Sequence, residues 1–164
     1  MMTRARLSIL SAAVIAAAAG VTALAGPASA QVKPAQVPSA ANYTWFQIKN
    51  YVTGDCIQED GTTDAVYTGG CSTNNSDEWR WTAANMLLNE HSGLCITSTS
   101  DGPGEYMDSC SNNSVQIWDQ APAGIYGLYL VNNHTPGELA EAADGSLTQV
   151  TDGDPSAGWT LVLG

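Results

Sequence analysis

Apolar and polar positions in this chain alternate in short bursts divided by turn signals, and nothing beyond residue 30 sustains a 3.6-residue period. Trp45-Phe46-Gln47-Ile48 runs into Asn50, and Thr53-Gly54-Asp55 marks a turn. Cys56-Ile57-Gln58 reads as a second strand and Ala65 to Thr68 as a third, with the turn cluster Glu59 to Asp64 between them. After a loop at Ser72 to Ser76, Glu78-Trp79-Arg80-Trp81 makes a fourth. The next set of strands is Met86 to Leu88, Cys95 to Thr97, Tyr106-Met107 and Gln116-Ile117-Trp118. The last is Tyr129 to Val131, Leu139-Ala140, Ser146 to Val150 and Trp159 to Leu163. Ala121 to Gly127 is an insertion between the second and third sets. Glu138 to Ala143 has helix-forming composition, but it is short and flanked by Gly137 and Gly145.

The three sets are copies of one unit. Asn50, Gly54, Cys56, Cys71 and Trp79 reappear as Asn89, Gly93, Cys95, Cys110 and Trp118. They reappear again as Asn133, Gly137, Leu139 and Trp159, with both cysteine positions vacant. From Asn to Trp the intervals are 29, 29 and 26 residues, and the tryptophans lie 39 and 41 apart. A four-stranded unit cannot bury its own apolar face, so the three copies must share one core. The pattern therefore predicts an all-β, closed architecture with repeats at about 43–81, 84–120 and 127–164. The expected core has Ile48, Leu87 and Val131 as equivalents, then Ile57, Ile96 and Ala140, then Trp79, Trp118 and Trp159.

Residues 1–30 stand apart from this pattern. Arg4 and Arg6 precede an alanine-rich apolar run from Leu7 to Gly26, and Ala28-Ser29-Ala30 supplies a small-residue cleavage site, as in a secretory signal peptide. The alternative is a membrane anchor, since the run is about long enough to span a bilayer at roughly 20 residues; Gly26-Pro27 and the Ala-x-Ala site favour removal. Residues 31–41 read as a flexible arm before a single domain at 42–164. Beyond Ala30 the bases are Lys33, Lys49 and Arg80, against all sixteen acids, a formal charge of −13. Such a surface repels phosphate backbones and anionic lipid, so neither nucleic acid nor membrane is an expected partner, whereas a neutral glycan or polysaccharide is compatible.

Four cysteines in an exported chain suggest two disulfides. Cys56 and Cys71 enclose the same interval as Cys95 and Cys110 at the same place in the repeat, so pairing within each repeat is the simplest reading. Each bridge of this loop length would contribute about 3 kcal/mol in the loop-entropy picture. Export and the wide gap argue against zinc.

Three repeats near forty residues, two of them with a Gly-x-Cys and a second Cys eight residues before the Trp of a Gln-x-Trp position, resemble the ricin B-chain-type lectins and carbohydrate-binding modules. Gln116-Ile117-Trp118 is the literal Gln-x-Trp; Asp77-Glu78-Trp79 and Ala157-Gly158-Trp159 are its variants. The resemblance implies a β-trefoil of three four-stranded pseudo-repeats with two in-repeat disulfides and up to three shallow sugar sites. It also implies where sugar contacts sit: an Asp two after the first Cys, an aromatic two before the second, and an Asn three before the Trp. The corresponding residues are Gln58, Thr97 and Glu141; then Gly69, Asp108 and Gln149; then Ser76, Val115 and Ser156. No lobe holds the family set.

A substitute is available. Sugar recognition needs an aromatic face for stacking and a carboxylate or amide for vicinal hydroxyls. Tyr67 and Tyr106 each lie four before the second Cys, on the strand face of the missing aromatic. Lobe one would join Tyr67 to Gln58 and Asp77, and lobe two would join Tyr106 to Asp108 and Gln116. The alternative is that both tyrosines pack on neighbouring strands.

Catalysis has less to build on. His91 and His134 both fall in the turn after a first strand, where no Ser-His-Asp arrangement is expected. The acids permit carboxylate pairs without designating one. Asp60 to Asp64 and Asp152-Gly153-Asp154 lack EF-hand spacing and read as turns, so no metal or cofactor is expected. Asn42, Asn74, Asn112 and Asn133 begin Asn-x-Ser/Thr triplets. The expectation is a secreted, non-catalytic lectin-like protein with shallow sites; the alternative is a trefoil scaffold that binds another protein.

Overall fold

The structure, a computed structural model, describes residues 44–99, 104–151 and 153–163. The expected signal peptide, arm and the Asn42 triplet lie outside the described residues. The strands are β1 (Phe46–Asn50), β2 (Cys56–Glu59), β3 (Val66–Gly69), β4 (Trp79–Trp81), β5 (Leu87–Asn89) and β6 (Cys95–Ser98). They continue as β7 (Glu105–Asp108), β8 (Trp118–Pro122), β9 (Leu128–Asn132), β10 (Glu138–Glu141), β11 (Leu147–Val150) and β12 (Trp159–Leu163). Each repeat also has a 3₁₀ turn just before its tryptophan, at Asn75–Asp77, Ser114–Gln116 and Pro155–Ala157. Gln116 is therefore a turn residue, and the strand expected at Gln116-Ile117-Trp118 begins only at Trp118.

The first and last strands of each repeat join hand to hand. β1 pairs with β12 along its length and with β4 at Phe46↔Trp79. β4 pairs with β5, β8 with β9, and β9 with β12 at Leu128↔Trp159. Trp118 N–H donates to the Asn85 carbonyl at 2.9 Å, linking the second repeat's last strand to the turn that leads into its first. The middle strands form three hairpins, β2–β3, β6–β7 and β10–β11. These hairpins meet one another through Met107 N–H to Asp64 O and Thr68 N–H to Gly145 O, both 2.8 Å.

Trp79, Trp118 and Trp159 lie at the centre, each essentially fully buried. An indole N–H cannot be buried unpaired, and each solves this identically. Trp79 donates to Ile57 O at 2.9 Å, Trp118 to Ile96 O at 3.2 Å and Trp159 to Leu139 O at 2.8 Å. Leu139, not Ala140, is thus the third-repeat equivalent of Ile57 and Ile96, although Ala140 is also buried. Likewise Leu130 fills the core place expected of Val131, which is only half-buried. In Leu128-Tyr129-Leu130-Val131 both strand faces are apolar, so alternation does not indicate which parity faces inward.

The repeat asparagines explain how one lobe finds the next. Asn89 donates its side-chain amide to Ser76 O at 2.8 Å, Asn132 to Val115 O at 3.0 Å, and Asn50 to Ser156 O at 2.7 Å. Each Asn also accepts from the N–H groups two and three residues on, which forms the turn behind the strand. Asn132 rather than Asn133 is therefore the repeat residue. The segment read as an insertion, Ala121 to Gly127, continues β8 to Pro122 and closes its hairpin through a 3₁₀ turn at Gly124–Tyr126. Cys56–Cys71 and Cys95–Cys110 are bonded within their repeats, as the spacing predicted.

Candidate functional site

Residues two apart on a strand share a face, so on β3 Val66 and Thr68 turn inward while Tyr67 and Gly69 turn out. Tyr67 sits opposite Gln58 in the β2–β3 ladder and is 37 % exposed. Gly69 is at the place where the family resemblance implies an aromatic. A Cβ there would meet Gln58 Nε2 at 3.3 Å and Tyr67 Cε2 at 3.7 Å. The tyrosine ring therefore lies in van der Waals range of the place where a side chain at 69 would begin, with the Gln58 amide closer still. Gln58 is held in place by donating its amide to Gly70 O at 2.7 Å.

Beside this pair opens a hollow of about 340 Å³, lined by Gln58, Glu59, Asp60, Gly61, Tyr67, Asn74, Asn75, Ser76 and His91. Its size is at the low end of small-ligand sites, which run from roughly 300 to 1,000 Å³. Three segments of the first repeat and the opening turn of the second supply the walls. Asp60 closes its own turn, accepting from the N–H groups of Thr62 and Thr63 at 2.9 and 2.7 Å and from the Thr63 hydroxyl. These bonds, led by the hydroxyl, hold its carboxyl below the usual range, so the rim is anionic. Glu59 is 2 % exposed; its Oε2 accepts from Gly61 N–H at 3.2 Å. Its Oε1 has no hydrogen-bond donor and faces His91 Nε2 at 3.9 Å.

The sequence-predicted residues separate into two groups. Gln58 and Tyr67 come together in lobe one. Asp77 does not join them: it is fully buried, and its Oδ2 accepts from Ser72 N–H at 2.6 Å and the Gln47 amide at 3.0 Å. Gln116 is buried in the same way, accepting from Ser111 N–H at 2.7 Å and donating to Thr97 Oγ1 at 2.9 Å and Ser109 O at 3.0 Å. Both residues of the Gln-x-Trp position therefore clamp the loop after the second Cys instead of facing a ligand. In lobe two Tyr106 and Asp108 are exposed on one face, but the residue opposite Tyr106, Thr97, is buried beneath Gln116. Lobe three offers no shelf. The Trp159–Leu139 bond aligns Ala140 with Gln58, and the β10–β11 register then aligns Thr148 with Tyr67 and Val150 with Gly69. Glu141 and Gln149, expected at those positions, have other partners: Glu141 Oε2 accepts from Thr53 Oγ1 at 2.6 Å, and Gln149 contacts Ser98, Thr135 and Glu105.

Glu59, Asp60, Asn74, Asn75 and His91 were not legible as site residues. His91 is invisible to reasoning within one repeat because it arrives from the next. A periodic signal does exist: the residue three after the strand-two Cys position meets the turn of the following lobe each time. Glu59 faces His91, Ser98 contacts Thr135 at 3.2 Å, and Glu141 bonds Thr53. Among the described residues, no group of three or more His, Cys, Asp or Glu is arranged to hold a metal ion.

No family model and no curated protein matches the sequence. Solved structures do match. The C-half of the earthworm R-type lectin, in complex with GalNAc, superposes with a TM-score of 0.61 at 12 % identity over 74 % of this chain and 99 % of that one. A designed three-fold symmetric protein, ThreeFoil, gives 0.65 at 21 % identity over 72 % and 97 %. The fold is a β-trefoil. In larger proteins the trefoil matches only a part. The chain spans 32 % of a GlcNAcα1-4Gal-releasing endo-β-galactosidase from Clostridium perfringens, with a TM-score of 0.66 at 18 % identity over 73 % of this chain. It spans 29 % of the hemolytic lectin CEL-III. At these identities the trefoil is shared and the lobe chemistry described above is this chain's own.

Proposed function

We propose that this trefoil is a secreted, non-catalytic carbohydrate-binding protein whose working site is the lobe-one hollow. The observation that carries the reading is the exposed Tyr67 ring, within van der Waals range of Gly69 and opposite Gln58, in the wall of a hollow that also presents amide, hydroxyl and carboxylate groups. A pyranose stacking its C–H face on Tyr67 would turn its hydroxyls towards Gln58 and the Asn74–Ser76 segment. The fold is shared with a lectin solved with GalNAc, which supports a glycan as the ligand class. Lobe two would add a weaker contact through Tyr106 and Asp108. The test is a glycan array followed by titration of the best ligand. Tyr67→Ala is expected to weaken binding at least tenfold and Tyr106→Ala less. Absence of binding to any glycan, or an unchanged affinity in Tyr67→Ala, overturns the reading.

One observation favours the second reading, a scaffold that binds another protein. Tyr51 packs edge-on against Tyr126 at 5.4 Å, and the flanking Val52 and Ile125 are 58 % and 76 % exposed. Co-purification with wild type and with Ile125→Asp protein distinguishes a partner on this face.

A further inference from the structure

The walls of the lobe-one hollow contain two carboxylates and one histidine but no lysine or arginine. The important group is Glu59. Its side chain is almost wholly inaccessible, one oxygen is satisfied by Gly61 N–H, and the other, Oε1, is buried with no donor, although Glu59 is one of the residues that line the hollow. A buried carboxylate oxygen without a donor carries a large desolvation cost, so a donor that reached it would be strongly favoured. Gly61 keeps the approach clear. A Cβ at that position would lie 3.2 Å from His91 Nε2 and 3.9 Å from Glu59 Oε1. The His91 ring, more than half exposed, covers Oε1 from a distance of 3.9 Å, too far for a hydrogen bond, and it belongs to a different lobe from Glu59.

From this we infer that the hollow selects sugars carrying a free amine, with the ammonium group displacing His91 and donating to Glu59 Oε1. The inference rests on the sugar-binding reading above and names its ligand class. A hydroxyl at the same place would donate to the carboxylate as a neutral group. An ammonium would donate to the same oxygen and bring a full opposite charge to it, adding an ion-pair attraction that a hydroxyl lacks. An N-acetyl group keeps one neutral N–H donor but carries no charge and brings a carbonyl oxygen towards an anionic wall. Asp60, held ionised at the rim, adds a favourable field for a cation without contacting Oε1.

Three β-1,4-linked tetrasaccharides that differ only at C2 test this: the glucosamine, N-acetylglucosamine and glucose oligomers, titrated calorimetrically into the purified protein at one pH and moderate salt. The glucosamine oligomer is expected to bind about tenfold or more tightly than the glucose oligomer, with the acetylated form weakest. Glu59→Gln keeps an oxygen for Gly61 N–H but removes the charge, and should erase that preference by bringing the glucosamine-oligomer and glucose-oligomer affinities together. His91→Ala uncovers Oε1 without altering the buried residue, and should strengthen glucosamine binding several-fold; it decides the matter if Glu59→Gln does not fold. Asp119→Asn, a loss of one exposed charge on β8, controls for general attraction of a cation to an acidic protein. If Asp119→Asn weakens glucosamine binding as much as Glu59→Gln, the attraction is non-specific and the inference falls. If glucose and glucosamine oligomers bind equally, it also falls, but the lectin reading survives. If neither binds and Tyr67→Ala changes nothing on any glycan, both fall together.

Discussion

Glu105 shows what a single buried carboxyl does at the junction of two lobes. It is 8 % exposed, and burial pushes its pKa up to about 6, only partly opposed by the Gln149 amide at 3.1 Å. Its Oε2 has no partner. A carboxyl whose pKa is raised in the folded state helps folding while it is protonated. That contribution is complete below the unfolded value near 4.5 and disappears as pH rises through about 6. Glu105→Gln retains the acceptor for Gln149 and abolishes the titration. Its thermal stability should match wild type near pH 4.5 and exceed it by about 1–2 kcal/mol at pH 8, as the size of such a shift implies. Melting curves across that range check this, and a wild-type advantage at pH 8 would contradict it. Gly69 is the other informative residue. Since the Gln58 amide and the Tyr67 ring crowd the place of its missing side chain, Gly69→Val should lower glycan affinity with little change in Tm.

Among elements, the hairpins and the turns before each tryptophan divide the labour between the lobes. The first disulfide joins β2 to the segment after β3, so it holds Gly69 and Gly70 against Gln58 as well as shortening the unfolded chain. Replacing Cys56 and Cys71 together by Ala should cost about 3 kcal/mol, as should replacing Cys95 and Cys110, measured by denaturant titration. Only the first pair should also weaken binding at the Tyr67 shelf. The strands themselves were readable because cysteine, glycine and tryptophan recur at short, constant offsets. Reading slipped by one residue in the third repeat, where no cysteine anchors the register: Asn132 and Leu130 hold the places assigned to Asn133 and Val131. The site was half readable. Tyr67 and Gln58 face each other because strand alternation is a local rule. Asp77 and Gln116 turned inward because a polar side chain that caps a loop has the same sequence signature as one that meets a ligand. His91 comes from another lobe, and one repeat has no record of its neighbour.

At the scale of the molecule, the core is a small set of large side chains held in common. Trp118→Ala would remove a buried aromatic and orphan the Ile96 carbonyl, at a cost of about 3–5 kcal/mol, and global unfolding should remain a single transition because each lobe's core is also its neighbours'. The formal charge of the whole chain is −11, with five bases in total. Self-repulsion on that surface should make Tm rise with salt over the range in which the Debye length falls from about 30 to about 8 Å. A salt-independent Tm would mean that the acids are already compensated locally.

The asparagine clasp has a consequence for how the chain is threaded. Asn50 grips Ser156 across a separation of 106 residues with the same bond that Asn89 and Asn132 make to the lobe before them. β1 and β12 lie side by side, Phe46 opposite Leu163. The ring therefore has no preferred place for its ends. A circular permutant, closed by a short linker from the end of β12 to the start of β1 and opened at Ala123–Gly124, should fold with both disulfides intact and the same glycan profile. In such a molecule the first lobe synthesised would be the present third one, and the Glu59–His91 juxtaposition would form unchanged, since those two lobes remain consecutive.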